Sequence, residues 1–171
     1  MVASRPDYCP DCGTALTDVE REGRTRRYCP DCERVVYRNP VPAADVAVLE
    51  EDRVLLVRRA VAPVVGAWAI PGGFLEYDEP PRTAAVRELR EETGVRVDPD
   101  DLRLVDTVLE SPPDRNLLVV RYAVDRAHTT GEPRPGSDAA AARFWTLGAL
   151  DDAGESLRTT HRGTLERLLS E

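Results

Sequence analysis

Three glutamates, Glu88, Glu91 and Glu92, crowd the end of the stretch "AIPGGFLEYDEPPRTAAVRELREETGV" at residues 69–95. On a helix, at about 100° per residue, they share one sector. Local physics disfavours that arrangement. Like charges three and four residues apart repel, and a helix C-terminus favours cations over anions. A hard divalent cation resolves the conflict, since Mg²⁺ and Mn²⁺ select carboxylate oxygen. The preceding Pro-Gly-Gly offers flexible backbone whose carbonyls can join the coordination. Without a partner, such a helix would be a solvated acidic face.

A second set is formed by cysteines. "YCPDCGTAL" and "YCPDCERVV" carry Cys9, Cys12, Cys29 and Cys32 in two Cys-x-x-Cys turns. Two such turns present four thiolates to one tetrahedral Zn²⁺. Four protein ligands leave no open position, so this zinc is expected to be structural. Paired disulfides are the rival, disfavoured in a reducing compartment; a redox pair would not need a twin. Arg24, Arg26 and Arg27 are expected on the loop between the turns, offset by Asp7, Asp11, Asp18, Glu20 and Glu22.

The elements that must position these groups follow from patterning. Residues 1–40 read as a zinc ribbon and residues 41–171 as the main domain. "ADVAVLE" and "RVLLVRR" read as a hairpin, and "GAWAI" as a strand stopped by Pro-Gly-Gly. A helix follows, with Pro80 and Pro81 in its first turn and Gly94 as a left-handed cap. "LRLVDTVLE", "NLLVVRYAV" and "AARFWTL" read as strands, and "ESLRTTHRGTLERLLSE" as a terminal amphipathic helix. Several strands with two helices predict an α+β fold.

The motif in residues 73–95 resembles the box of the Nudix hydrolases: Gly, five residues, Glu, seven residues, then Arg-Glu-aliphatic-x-Glu-Glu-x-Gly-aliphatic. Gly73, Glu79, Arg87, Glu88, Leu89, Glu91, Glu92, Gly94 and Val95 occupy every fixed position. The resemblance implies an α/β/α sandwich with a mixed sheet and cleavage of a nucleoside diphosphate linked to another group. It implies that Glu88, Glu91 and Glu92 bind Mg²⁺ or Mn²⁺ with a carbonyl of Gly72 or Gly73. Glu79 and Arg87 would pair to hold loop against helix. The ribbon, then "VVYRNP", then the box is similar to two subgroups, the NADH pyrophosphatases and the enzymes acting on FAD or ADP-ribose. The stretch "DTVLESPPDRNLL" lacks the Ser-Gln-Pro-Trp-Pro-Phe-Pro motif of the first. Homodimers are common in the family.

Candidates for the general base are Glu91 and Glu92 in the box, and Glu110 and Asp138 outside it. Arg58 or Arg59 could meet phosphate, and Trp68 or Tyr77 could stack on a base, although core packing explains Trp68 as well. His128 and His161 read as exposed or capping residues.

The totals narrow the partners. Of 171 residues, 31 are acidic and 23 basic, and all 23 are Arg, for a net charge of −8. Such a surface disfavours nucleic acid and suits a cytosol of molar salt, although a GC-rich genome also replaces Lys with Arg. No apolar run reaches membrane length and no signal-peptide core opens the chain, so a cytoplasmic protein acting on a nucleotide-type small molecule is expected. Two other readings are a catalytically silent ligand sensor whose ribbon binds nucleic acid or protein, and an enzyme of RNA caps.

Overall fold

In the longer apolar runs burial continues through successive residues instead of alternating with exposure. That is the mark of a sheet covered on both faces. The structure, a computed structural model, describes residues 5–62, 64–136 and 139–170. Asp138 lies outside the described residues. The chain divides into two compact units, Met1–Val41 with Ser111–Leu117, and Pro42–Glu110 with Leu118–Glu171.

In the first unit, β1 (Thr17–Arg21), β2 (Arg24–Cys29) and β3 (Arg34–Val36) form an antiparallel sheet. Arg24, Arg26 and Arg27 therefore lie on a strand, not on the loop the sequence suggested. The hairpin turn is made by Glu22 and Gly23, both at positive φ, and Thr25 and Arg27 then pair across to β1 with Glu20 and Asp18.

The second unit is built on a sheet of β4 (Val41–Glu50), β5 (Arg53–Arg59), β9 (Arg103–Glu110), β10 (Leu117–Asp125) and β12 (Ala139–Trp145), in the order β12-β5-β4-β10-β9. Two short strands pair with its inner strands: β6 (Trp68–Ala69) with β5, and β7 (Gly72–Phe74) with β4. A separate pair, β8 (Arg96–Val97) with β11 (Thr129–Thr130), lies beyond helix α1 (Pro81–Thr93).

Side chains of period two feed two cores. Val46, Val48, Leu55, Tyr122 and Val124 pack with Ala84, Ala85 and Leu89 of α1. The intervening Ala47, Val54, Leu56 and Ala123 pack with Leu150 of α2 (Leu147–Asp152) and with Leu165 and Leu168 of α3 (Thr159–Leu168). The sheet is thus sandwiched between helices, giving the expected α+β, α/β/α layering. The terminal helix is shorter than its sequence suggested. Ser156 and Arg158 instead hydrogen-bond the backbone of Trp68. Among the described residues no helix is long and apolar enough to cross a membrane.

Candidate active site and metal centres

Helix α1 begins after Pro80 and ends on Gly94, whose φ of 72° is left-handed and whose N–H reaches the Arg90 carbonyl at 2.9 Å. A glycine there takes this conformation without the penalty a Cβ would bring. The last turn is also capped from outside the helix, where the Arg134 and Gly136 amides donate to the Thr93 and Glu92 carbonyls, both at 2.8 Å.

The loop before α1 lies directly against the glutamates. The Gly72 N–H donates to Glu92 Oε2 at 2.9 Å. A Cβ on Gly73 would collide with the Glu88 carboxylate, and one on Gly72 with Asp45 and the Ala44 carbonyl. Close backbone approach is therefore why this loop carries two glycines. Burial pushes the Glu88 carboxyl up, against the pull of Arg87; Glu91 is more exposed than Glu88. Arg87 is the hub. Its Nε and Nη2 donate to both oxygens of Glu79 at 2.9 Å, its Nη2 also to the Phe74 carbonyl at 3.0 Å, and its Nη1 to Glu88 at 2.8 Å and Glu91 at 3.2 Å. Hydrogen bonding to Arg87 holds Glu79 below the usual carboxylate range. Glu88 and Glu92 lie against the glycine backbone, and Glu91 stands beside them on Arg87. Carboxylate and carbonyl oxygen is the donor type that suits a hard divalent cation, although the three carboxylates are not drawn into one converging group in this structure.

The other expected residues are scattered. Arg58 is exposed, with Nε on the Gly66 carbonyl at 3.1 Å and Nη2 3.6 Å from Glu155. Arg59 donates to the Ala62 carbonyl. Tyr77 is fully exposed. Trp68 is not available for stacking: only 1% exposed, it meets Trp145 edge-on at 5.3 Å and belongs to the core. Its substrate-binding expectation is replaced by the packing one. His128 is exposed near Asp101. His161 is a correction, because it is buried at 3%.

Glu110, a candidate base, is buried in an ion cluster. Arg121 Nε and Nη2 grip Asp45 at 2.7–3.0 Å, and its Nη2 lies 3.4 Å from Glu110. Arg121 Nη1 reaches the Thr160 carbonyl and the Thr164 hydroxyl, and Arg158 closes on Glu110 at 2.6 Å. Burial alone would raise Glu110. Hydrogen bonds from His161 and Thr160 and the Arg158 charge overcome this and hold it at about 2. A carboxylate so engaged is a poor proton acceptor. The readable signal for this cluster was a lone charge inside each of two apolar runs, "AADVAV" and "LVVRYAV".

In the first unit Cys9, Cys12, Cys29 and Cys32 bring their sulfurs within 4.8 Å of one another, the one such group of three or more ligand residues among those described. Sulfur pairs stand at 3.5 and 4.0 Å. Bonds of about 2.3 Å to zinc place tetrahedral sulfurs about 3.8 Å apart, so the four can hold one metal ion. Hydrogen bonds from Thr14 draw the Cys12 thiol down to about 6, while the neighbouring sulfurs push Cys32 up to about 12. The surroundings favour the Cys12 thiolate and resist those of Cys29 and Cys32, which a bound cation would reverse.

The NUDIX domain signature matches residues 39–168. An ADP-ribose pyrophosphatase of Methanocaldococcus jannaschii is 32% identical over 115 residues, 67% of each chain. A NAD-capped RNA hydrolase NudC of Pseudomonas fluorescens is 36% identical over 90 residues, 53% of this chain and 32% of that protein; the chain spans about a third of this relative's length. A crystal structure of a NUDIX hydrolase from Nitrosomonas europaea superposes with a TM-score of 0.73 at 26% identity, over 97% of this chain and 92% of that one. The chain belongs to the NUDIX family, a class of pyrophosphohydrolases.

Proposed function

We propose that this chain hydrolyses the pyrophosphate bond of a nucleoside diphosphate linked to a second group, ADP-ribose foremost, then FAD or NADH, giving two monophosphates. The observation that carries the reading is the contact of the Gly72–Gly73 backbone with the carboxylates of Glu88 and Glu92. The relative named an ADP-ribose pyrophosphatase supports placing ADP-ribose first. Glu88, Glu91, Glu92 and a carbonyl of Gly72 or Gly73 would hold Mg²⁺ or Mn²⁺. Such a cation neutralises charge on the pyrophosphate oxygens and acidifies water.

The protein's own groups do the rest. Arg87 fixes Glu79 and loop to helix, and spaces Glu88 from Glu91. Glu91 or Glu92 takes the proton of the attacking water, with Asp138 the candidate base from outside the box. Arg58 or Arg59 meets the substrate's phosphates. Cys9, Cys12, Cys29 and Cys32 hold a structural Zn²⁺.

Incubation with ADP-ribose, FAD and NADH in separate reactions, with Mg²⁺ and chromatography of products, tests the reading. AMP released by the wild type and absent with Glu92→Gln supports it. No turnover of any of the three overturns this substrate class and favours a silent sensor.

A further inference from the structure

His161 stands on the last helix, yet its Nδ1 accepts the Ile70 N–H at 3.0 Å, across 91 residues of sequence. A nitrogen that accepts carries no proton, so the ring is either neutral with hydrogen on Nε2 or the bond does not form. The surroundings enforce the neutral form. Two carboxylates, Asp45 and Glu110, face two guanidiniums, Arg121 and Arg158, so the charges in this buried cluster already balance. Burial also pushes the imidazole down. Nε2 then points its hydrogen toward Glu110 Oε1, 3.6 Å away.

Ile70 opens the loop that continues as Pro71, Gly72 and Gly73. The Pro71 carbonyl accepts the Val46 amide at 3.0 Å, and Gly72 lies so close to Asp45 that no Cβ fits between them. One cluster therefore sets the loop at two points, from α3 through His161 and from β4 through Asp45. The far end of that loop meets Glu88 and Glu92.

We infer that His161 is a positioning residue: through the Ile70 amide it sets the Gly72–Gly73 backbone for divalent-cation binding. The inference rests on the proposed metal site and extends it to a residue outside the box. A group that orients a metal ligand typically changes affinity by about 10–100-fold when removed.

Two substitutions separate the ring nitrogens. His161→Asn keeps an acceptor near the Nδ1 position and loses the Glu110 contact. His161→Gln keeps a polar group near Nε2 and loses the acceptor for Ile70. Mn²⁺ binding by electron paramagnetic resonance, without substrate, is the readout, with exchange of the Ile70 amide by NMR and the melting temperature alongside. The expected result is Mn²⁺ affinity near wild type for His161→Asn and about ten-fold weaker for His161→Gln, with faster Ile70 exchange only in the latter. Equal affinities in wild type and His161→Gln, or equal weakening in both variants, would overturn the inference and leave His161 a packing residue. If His161→Gln does not fold, the wild type decides. By reciprocity Mn²⁺ must slow Ile70 exchange, and unchanged exchange overturns the inference. Failure of the metal site itself has a different signature, namely wild type and Glu92→Gln binding Mn²⁺ equally.

Discussion

Arg87 grips Glu79 through two parallel hydrogen bonds, each 2.9 Å, with Glu79 on the loop and Arg87 on the helix behind it. The fork geometry of guanidinium and carboxylate gives this pair direction as well as charge. A Lys in place of Arg87 keeps the charge and loses the fork, together with bonds to Phe74, Glu88 and Glu91. Arg87→Lys is expected to cost roughly 1.5–3 kcal/mol, the range for hydrogen bonds to charged groups, read by urea unfolding. Turnover should fall further than stability alone explains. The pair also has a pH signature. Glu79 is depressed in the fold, so its contribution is present above the ordinary value of 4.5 and is lost as pH falls through the lower folded value. Glu79→Gln should flatten that acid limb.

Glu88 behaves in the opposite sense. Burial raises its carboxyl above the ordinary 4.5, so its effect on stability is favourable at low pH and is lost as pH rises through the raised value. Near neutral pH the ionised Glu88 is a burden that its bond to Arg87 offsets only in part, and a divalent cation would relieve the rest. Glu88→Gln is therefore expected to leave the metal-free melting temperature equal or higher, while turnover falls at least about 100-fold, the upper loss for groups one step further from a metal. Mg²⁺ at about a hundred times its dissociation constant should stabilise the wild type by about 2.7 kcal/mol and leave Glu88→Gln unmoved. Calorimetric melts with and without Mg²⁺ measure both.

The ribbon offers a metal-removal test. Its own core is only Cys9, Leu16, Cys29 and Val36, and a cluster of that size cannot offset the chain entropy of about thirty ordered residues. Purified protein should carry about one zinc per chain. Stripping it with a strong chelator, or substituting Cys29→Ala, should collapse the backbone resonances of β1 to β3. Elemental analysis and an NMR spectrum before and after chelation decide the matter.

Much of this was legible in local sequence. The Cys-x-x-Cys spacing placed four sulfurs together, and the box placed Gly73, Glu79, Arg87 and the three glutamates on a strand, loop and helix capped by Gly94. Each of those signals is contained within a few turns of chain. What escaped was long-range. Asp45 and Arg121 are 76 residues apart, and nothing near either one names its partner. His161 stands three, four and seven residues before Thr164, Leu165 and Leu168, so its helical period turns it inward, but its acceptor role has no local sign, because Ile70 lies on a loop 91 residues away. Trp68 stood between stacking and packing because both uses need the same ring; Trp145, its neighbour in the fold, settles its place in the core. The ribbon's arginines read as loop because polar residues on a small, half-exposed hairpin are a weak strand signal.

The absence of lysine and the net charge of −8 lead to a salt prediction. At about 1 M salt the Debye length falls to about 3 Å, so repulsion among surplus carboxylates fades along with exposed pairs such as Arg5–Asp18. Exposed pairs contribute little, about 0–1 kcal/mol each, so relief of repulsion should dominate. Melting temperature and turnover are expected to rise between about 0.1 M and about 2 M KCl. A maximum at the low end would instead make the Arg-only composition a matter of codon usage.

Arg121 is 0% exposed and faces two carboxylates, so the cluster below the loop has a sharp energetic signature. Arg121→Met removes the cation and strands Asp45 in an apolar setting, while Glu110 keeps Arg158. Losing one partner of a buried pair costs about 3–5 kcal/mol, a large part of what holds a domain together. Removing both charges is different, because the desolvation cost disappears with them. The double variant Asp45→Asn with Arg121→Met should therefore recover part of the loss, leaving Glu110 to Arg158 alone. Urea unfolding of the wild type, both single variants and the double variant forms a thermodynamic cycle. Additive losses would mean that water reaches the cluster and screens it. A strong positive recovery would show that Asp45 and Arg121 are retained because each requires the other, and that the loop above them is seated on a charge-balanced base.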